Sequence, residues 1–364
     1  MKIDAFAGIQ NTVGVRDIAD NGLQDAVNVD IDNAGALIQR KGYVLSKSVT
    51  IDAAHVTGLG ETYLVTGGKL YRVDEGLNLH TLCDSTASEF SDSSQFLFTN
   101  DGFQIHRETA VNLKTVTAMQ PEALINSGNW PIGQYSILVT YTNADGLEGG
   151  TSNIVTIELT TPGEILINYP EFQGHEANVY MTEADDDVFI HQVTGAKLMP
   201  VQLGANGFPE EANLIEYHES QLYITQDLGD NTVVLFSRPL HFHLFDLEKD
   251  YFIVPGKILR MRSAGSALII GTESEVFAYQ DGVLEPLAGY GVVPGRSMIL
   301  RPDGRLLIHT VQGLCSAMPF ETITQDKVSL PMGSVCSAVL MDQGGIQRYI
   351  GLHDGQGTAY NNSF

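Results

Sequence analysis

Three stretches decide how this chain folds: Thr62-Tyr-Leu-Val-Thr-Gly-Gly-Lys-Leu-Tyr-Arg-Val73, Gln95-Phe-Leu-Phe-Thr-Asn-Asp-Gly-Phe-Gln-Ile-His106 and Ala267-Leu-Ile-Ile-Gly-Thr-Glu-Ser-Glu-Val-Phe-Ala278. Each opens with a short apolar run, turns on Gly or small polar residues, and closes with a second β-prone run. That order describes a hairpin whose first strand is buried on both faces. Beyond the first turn the side chains alternate, with Leu70 and Arg72 on one side and Tyr71 and Val73 on the other.

Weaker copies run from Leu306 to Ala317 and from Arg348 to Tyr360, and a partial copy runs from Glu219 to Ile224. Taking Gly68, Gly102, Ser220, Ser274, Gly313 and Gly357 as equivalent turn positions, the spacings are 34, 118, 54, 39 and 44 residues. Most lie near the blade length of a β-propeller, about 40 to 50 residues. The long interval calls for an insertion of about 80 residues into that repeat.

The insertion falls at 121–203, where the pattern changes. Tyr135, Ile137, Val139 and Tyr141 alternate with Ser136, Leu138, Thr140 and Thr142, the signature of a half-buried strand. Asn143-Ala-Asp-Gly146 supplies a turn. Short strands are then expected around 154–159, 165–169, 177–182 and 188–193, and this spacing suggests a β-sandwich of six or seven strands. Trp130, the single tryptophan, is expected to anchor the sandwich to its neighbour. The expected fold class is therefore all-β: an irregular six- or seven-bladed β-propeller, 1–120 and 204–364, interrupted by a sandwich at 121–203. Helix is scarce. Ile18 to Val27 is the one candidate, and Gly22 in its middle leaves it as a turn.

Composition agrees with many short strands: 37 Gly and 13 Pro are spread through 364 residues that are 43% hydrophobic and 18% charged. The 20 basic against 44 acidic residues give a formal charge of -24, which repels phosphates and argues against sequence-specific nucleic-acid binding. The acidity serves solubility, or it lines a wall along which DNA slides without adhering. Cys83, Cys315 and Cys336 are too few and too far apart for a disulfide framework or a thiolate zinc site. No apolar leader or membrane-length run stands out, so a soluble product of the cytosol is expected.

Catalytic patterns are missing: there is no HExxH, GxSxG or GxxxxGK[ST], and Gly289-Tyr-Gly291 reads as a turn between blades. His241 and His243 share one side of a strand and would need a third ligand such as Asp246 to hold a metal. Asp185-Asp-Asp187 and Asp30-Ile-Asp-Asn33 offer oxygens to calcium but lack the ligand spacing of an EF-hand, and solvated turn carboxylates are the simpler reading. A glycosidase needs paired carboxylates and usually aromatic walls, for which one Trp is thin provision. The expectation is no enzyme, no cofactor and no metal. Asp185, Asp186 and Asp187 are the candidate lumenal or loop acids.

The segments Phe6-Ala-Gly-Ile-Gln-Asn11, Gly22-Leu-Gln-Asp-Ala-Val-Asn-Val-Asp-Ile-Asp32 and Gly35-Ala-Leu-Ile-Gln-Arg-Lys-Gly-Tyr43 resemble the opening of many tailed-bacteriophage virion proteins. Val234-Leu-Phe-Ser-Arg-Pro-Leu240 with Phe252-Ile-Val-Pro-Gly-Lys-Ile258 is similar to later segments of the same β-propeller proteins, the tail nozzle and the packaged-DNA stabilisation hub. Gly133 to Glu148 with Val179-Tyr-Met-Thr182 looks like the immunoglobulin- or fibronectin-like sandwich such proteins carry. The resemblance implies a structural virion protein, made in the host bacterial cytoplasm and located in the tail. It would form a homo-oligomeric, homohexameric ring around the DNA exit channel, against portal, adaptor or other tail proteins, with genomic DNA passing unbound. A tail-tip receptor- or glycan-binding protein is the alternative, and a propeller glycoside hydrolase comes third. Read physically, 28–43 is a hairpin whose strands could complete the last blade and close the ring.

Overall fold

The computed structural model describes residues 8–10, 16–18, 22–24, 29–31, 36–39, 48–324, 335–343, 346–353 and 360–363. Much of the 6–43 stretch, including Asp32 and Asn33, and the turn at Gly357 lie outside the described residues. Among those described the chain is all-β, and its one helical element is the 3-10 turn Pro200–Gln202. Two compact units divide it, one of 50–228 and 233–253, the other of 1–49, 229–232 and 254–364.

In the first of these units, Ala53–Val56, Thr62–Thr66, Lys69–Val73 and Leu79–Asp84 form a four-stranded antiparallel meander. Phe90–Asp92, Leu97–Thr99, Phe103–His106 and Thr109–Asn112 form the next. After an interruption, Ile215–His218, Gln221–Leu228, Asn231–Arg238 and His241–Phe245 make a third, with Tyr251–Val254 added beside Asn231–Arg238. Consecutive meanders pack through shared cores. Val65 and Leu70 meet Phe90 and Ile105, while Phe98 meets Leu222 and Phe242.

The other unit repeats the plan. Ile258–Ala264, Ala267–Thr272, Val276–Gln280 and Val283–Ala288 are followed by Met298–Leu300, Leu306–Thr310, Gly313–Ala317 and Glu321–Thr322. Ile269 and Val276 share a core with Leu306 and Ile308. A last sheet joins Cys336–Gln343, Ile346–His353 and Tyr360–Ser363 to Gly295–Arg296 in parallel, and its Tyr349 packs on Leu307 and Leu314.

The three deciding stretches are antiparallel hairpins, and so is Ile215–His218 with Gln221–Leu228. Gly68 turns at φ 75°, as the reading required, but the equivalent Ser220 takes φ 67° without being glycine. Within a meander burial falls from inside to outside. Ala267–Thr272 and Leu306–Thr310 are buried throughout, whereas the fourth strands Leu79–Asp84 and Val283–Ala288 lie half in solvent. Apolar runs sit in the second strand because it lies inside its sheet, with a strand on each side and both faces buried.

Two sequence readings change. Val29–Ile31 and Leu37–Gln39 do pair as a hairpin, but as a sheet of two strands, and the last four-stranded sheet takes its extra strand from Gly295–Arg296 instead. Gly22–Leu23, at the weak helix candidate, is a short strand parallel to Gly8–Ile9.

The residues between the second and third meanders form two facing sheets. One pairs Glu122–Trp130 with Gly163–Asn168, and the other runs Val155–Leu159, Gly133–Thr142, Glu176–Met181, Ile190–His191. Six strands are present. Tyr135, Ile137, Leu159, Ile165 and Met181 fill the space between them. Trp130 belongs to that core, with its ring 5.9 Å from Tyr135, so it fastens the two sheets to each other and not to a neighbour. Residues 137–141 are buried on both faces rather than one, because the loop after them folds back over the second face.

Candidate functional site

That returning loop builds an extended polar site. Asn143 closes the expected turn by accepting hydrogen bonds from the amides of Asp145 and Leu147, both at 3.0 Å, and Gly146 adopts φ 81°. The Asn143 amide group donates to the carbonyls of Asn112 (2.8 Å) and Lys114 (3.1 Å), and Asp145 accepts from the amide of Asn112 at 2.8 Å. The turn thus clamps the end of the second meander.

Glu148 follows. One of its carboxylate oxygens accepts from the Thr140 hydroxyl and from the Tyr180 phenol, the latter at 2.9 Å, inside the face that alternation had assigned to solvent. Burial, reinforced by Glu148, pushes the Tyr180 phenol above its ordinary range, which keeps it a donor. The Glu148 backbone carbonyl accepts from His243 Nε2 at 3.0 Å. A carbonyl can only accept, so Nε2 carries the proton. Burial holds the His243 pKa below its ordinary value, and the imidazole stays neutral at pH 7.

Backbones then meet directly. A Cβ on Gly150 would fall 1.7 Å from the Ala205 carbonyl oxygen, and one on Gly207 would fall 2.5 Å from that of Thr115. Three segments, around 115, 150 and 206, therefore cross where no side chain fits. Asn206 and Phe245 exchange backbone hydrogen bonds and complete the seam with the third meander. This junction locks the two-sheet module to the meanders on either side of it in the sequence.

The residues singled out from sequence sit elsewhere. Asp185, Asp186 and Asp187 are exposed on a loop of the two-sheet module. Asp185, at φ 60°, accepts from the Gln134 amide at 2.9 Å, and Asp186 accepts from the amides of Asp187 and Val188, which hold its carboxyl below the usual range. Two of the three carboxylates are turn acceptors. Other acids work the same way: Asp101 accepts from Ser85 Oγ (2.7 Å), Thr86 N (2.9 Å) and Thr99 Oγ1 (2.6 Å).

His241 and His243 do lie side by side, ring centroids 6.4 Å apart, but they bond the carbonyls of Pro239 and Glu148. Asp246, the suggested third ligand, is held by Arg238 at 3.0 Å and Lys249 at 3.4 Å. Among the described residues no group of three His, Cys, Asp or Glu side chains is placed to hold a metal ion.

Gly291 passes so close to Glu273 that a Cβ would fall 1.9 Å from its carbonyl oxygen, in keeping with a turn fixed by backbone approach. Beside it Leu287, Ala288, Tyr290, Phe320, Glu321 and Thr322 line an open groove of about 560 Å³. Tyr290 bonds Cys315 Sγ at 3.7 Å, and burial pushes its phenol up to about 12. Cys83, Cys315 and Cys336 are free thiols. No helix among the described residues is long and apolar enough to cross a membrane.

No family model matches the sequence, and no curated protein matches it. Solved structures overlap it weakly. The extracellular domain of a hybrid two-component system from Bacteroides thetaiotaomicron aligns with 84% of this chain at 12% identity and TM-score 0.31, and the chain spans only 37% of that domain's length. A candidate 6-phosphogluconolactonase from Bacteroides uniformis aligns over 90% of this chain and 87% of its own at 9% identity and TM-score 0.32. The endosialidase of phage phi92 aligns over 82% and 61% at 10% identity and TM-score 0.21. At such scores the overlaps carry no argument about activity.

Proposed function

We propose that this chain is a structural protein of a tailed-phage particle: a β-propeller of six blades with one inserted sandwich, assembling with copies of itself into a ring of the tail nozzle or hub type around the DNA exit channel. The observation that carries the reading is the run of six sheets of four or five strands along the chain, with consecutive sheets sharing cores within each unit. Radial stacking of such meanders gives a stiff body with short, protected edges. The sequence resemblance of 6–43 and 234–258 supplies the phage assignment.

The inserted module fits a mechanical role. Its attachment spreads over Asn143, Asp145, Glu148 and His243 and two backbone crossings, so load on it is shared by many short bonds and not by a flexible linker. A net charge of -24 leaves a surface that repels a passing duplex.

Electron microscopy of the purified chain, with light scattering for its mass, tests the proposal. A closed ring with an axial opening is expected, with no retention of double-stranded DNA at low salt. A monomer at high concentration, or tight DNA binding, would overturn it. A retained oligosaccharide would favour the glycan-reading alternative.

A further inference from the structure

We infer that the edge of Glu122–Trp130 is a docking lane for a basic polypeptide segment, which adds there as a further β-strand. This inference goes beyond the structural role and does not depend on the ring. Glu122–Trp130 pairs on one side with Gly163–Asn168, and that sheet has only these two strands. No backbone hydrogen bond reaches its other side from the described residues. Its facing sheet, by contrast, has four strands. Among the described residues the smaller sheet therefore leaves this edge unpaired.

Side chains show the same gap. Ile125 shares a face with Ala123 and lies opposite Ile165, so it belongs to the core side of the sheet, yet it is 59% exposed, with no strand among the described residues in the lane beside it. On the outer face Leu124 and Leu166 lie directly opposite each other and are 53% and 52% exposed. An added strand would flank both faces at once. The six residues from Glu122 to Ser127 stay in regular register before the irregularity at Ser127/Trp130, and at about 3.3 Å per residue they offer a lane about 20 Å long. Proteins usually blunt such an edge with Lys, Pro or a bulge. Here the first six positions carry none of these.

Charge selects the occupant. Residues 121–203 hold eleven Asp and Glu against a single basic residue, Lys197. Glu122 and Glu164 are exposed beside the leucine pair. A second copy of the chain would bring like charges together along the same edge, whereas a Lys- or Arg-rich strand would gain from every carboxylate near it. Backbone pairing supplies the affinity and alternate side chains the selection, as in other strand-addition complexes.

The test uses the full chain and a fluorescent twelve-residue peptide of alternating Lys and Val, with a Glu-Val peptide as comparison. The Lys-Val peptide should bind and slow amide exchange within 122–130, and the Glu-Val peptide should not. The double variant Leu124→Lys, Leu166→Lys and the double variant Glu122→Lys, Glu164→Lys should each weaken binding by about tenfold or more, while Leu59→Lys, exposed in another sheet loop, should leave it unchanged. Circular dichroism melts verify that each variant is folded, and the two doubles change different side chains so that one misfolding leaves the other informative. Protection outside 122–130, no protection at all, equal binding of the two peptides, or concentration-dependent protection of 122–130 without peptide would each overturn the inference. The last outcome would assign the edge to a second copy.

Discussion

The tripeptide Ala-Leu-Ile occurs three times, and two of its copies, at 267–269 in an inner strand of a meander and at 123–125 in the two-stranded sheet, occupy opposite environments. Ala267, Leu268 and Ile269 are fully buried, whereas Leu124 and Ile125 are more than half exposed. Both copies are extended and both pair with an antiparallel neighbour. The difference is what lies beyond the pair. Ala267–Thr272 has a strand on each side and shares a core with a following sheet, while Glu122–Trp130 has, among the described residues, one neighbour and an open edge. Strand identity is a local property and burial is not.

Mutations can break this contrast. Leu268→Ala should cost about 2 to 5 kcal/mol by removing a buried side chain from a packed interior, read as a shift of the denaturation midpoint. At the seam, Gly150→Ala forces a methyl group against the Ala205 backbone, which cannot swing aside as a side chain could. It should cost about 1 to 3 kcal/mol, with the loss of protection from amide exchange concentrated at 114–115, 149–151 and 205–207. Glu148→Ala leaves the Thr140 and Tyr180 hydroxyls without their acceptor and should cost about 1 to 3 kcal/mol. Glu148→Gln, which keeps an acceptor oxygen, should cost less.

A pH series sharpens the comparison of module and meanders through His243. Its pKa is held below the ordinary 6.5 by burial. As pH falls through 6.5 the unfolded chain therefore takes up a proton that the folded chain refuses, and stability present above 6.5 is lost. His243→Gln retains a donor for the Glu148 carbonyl without titrating. Wild type should be the more destabilised of the two as pH is lowered from 7.5 to 5.5, and parallel curves would show that His243 is not the group responsible. The smallest expected effect is Leu124→Ala, within about 0.5 kcal/mol of wild type, against the large loss at Leu268.

Much of the fold was legible because hairpins are written locally. Gly67-Gly68 between Thr62–Thr66 and Lys69–Val73 names its own turn, and Asn143 to Gly146 does the same. The site was far less legible. Glu148 looked like one acid among 44, and its partners Thr140, Tyr180 and His243 stand 8, 32 and 95 residues away. The one available signal was Gly149-Gly150 directly after it, a pair that marks close backbone approach. Trp130 was read as an outward anchor since a lone tryptophan in a loop invites that role, yet it turned inward onto Tyr135. Asp185, Asp186 and Asp187 lie on one loop, and the carboxylates of Asp185 and Asp186 are spent on backbone amides, a use that no motif announces.

By itself the sequence determined that the described residues are almost entirely β and where several of their hairpins turn, because turn chemistry and side-chain alternation act over a few residues. Only the tertiary structure decided which apolar runs are covered, which acids are structural acceptors and which edge stays open. Those outcomes depend on what arrives from far along the chain, and no short window of residues contains its own neighbours.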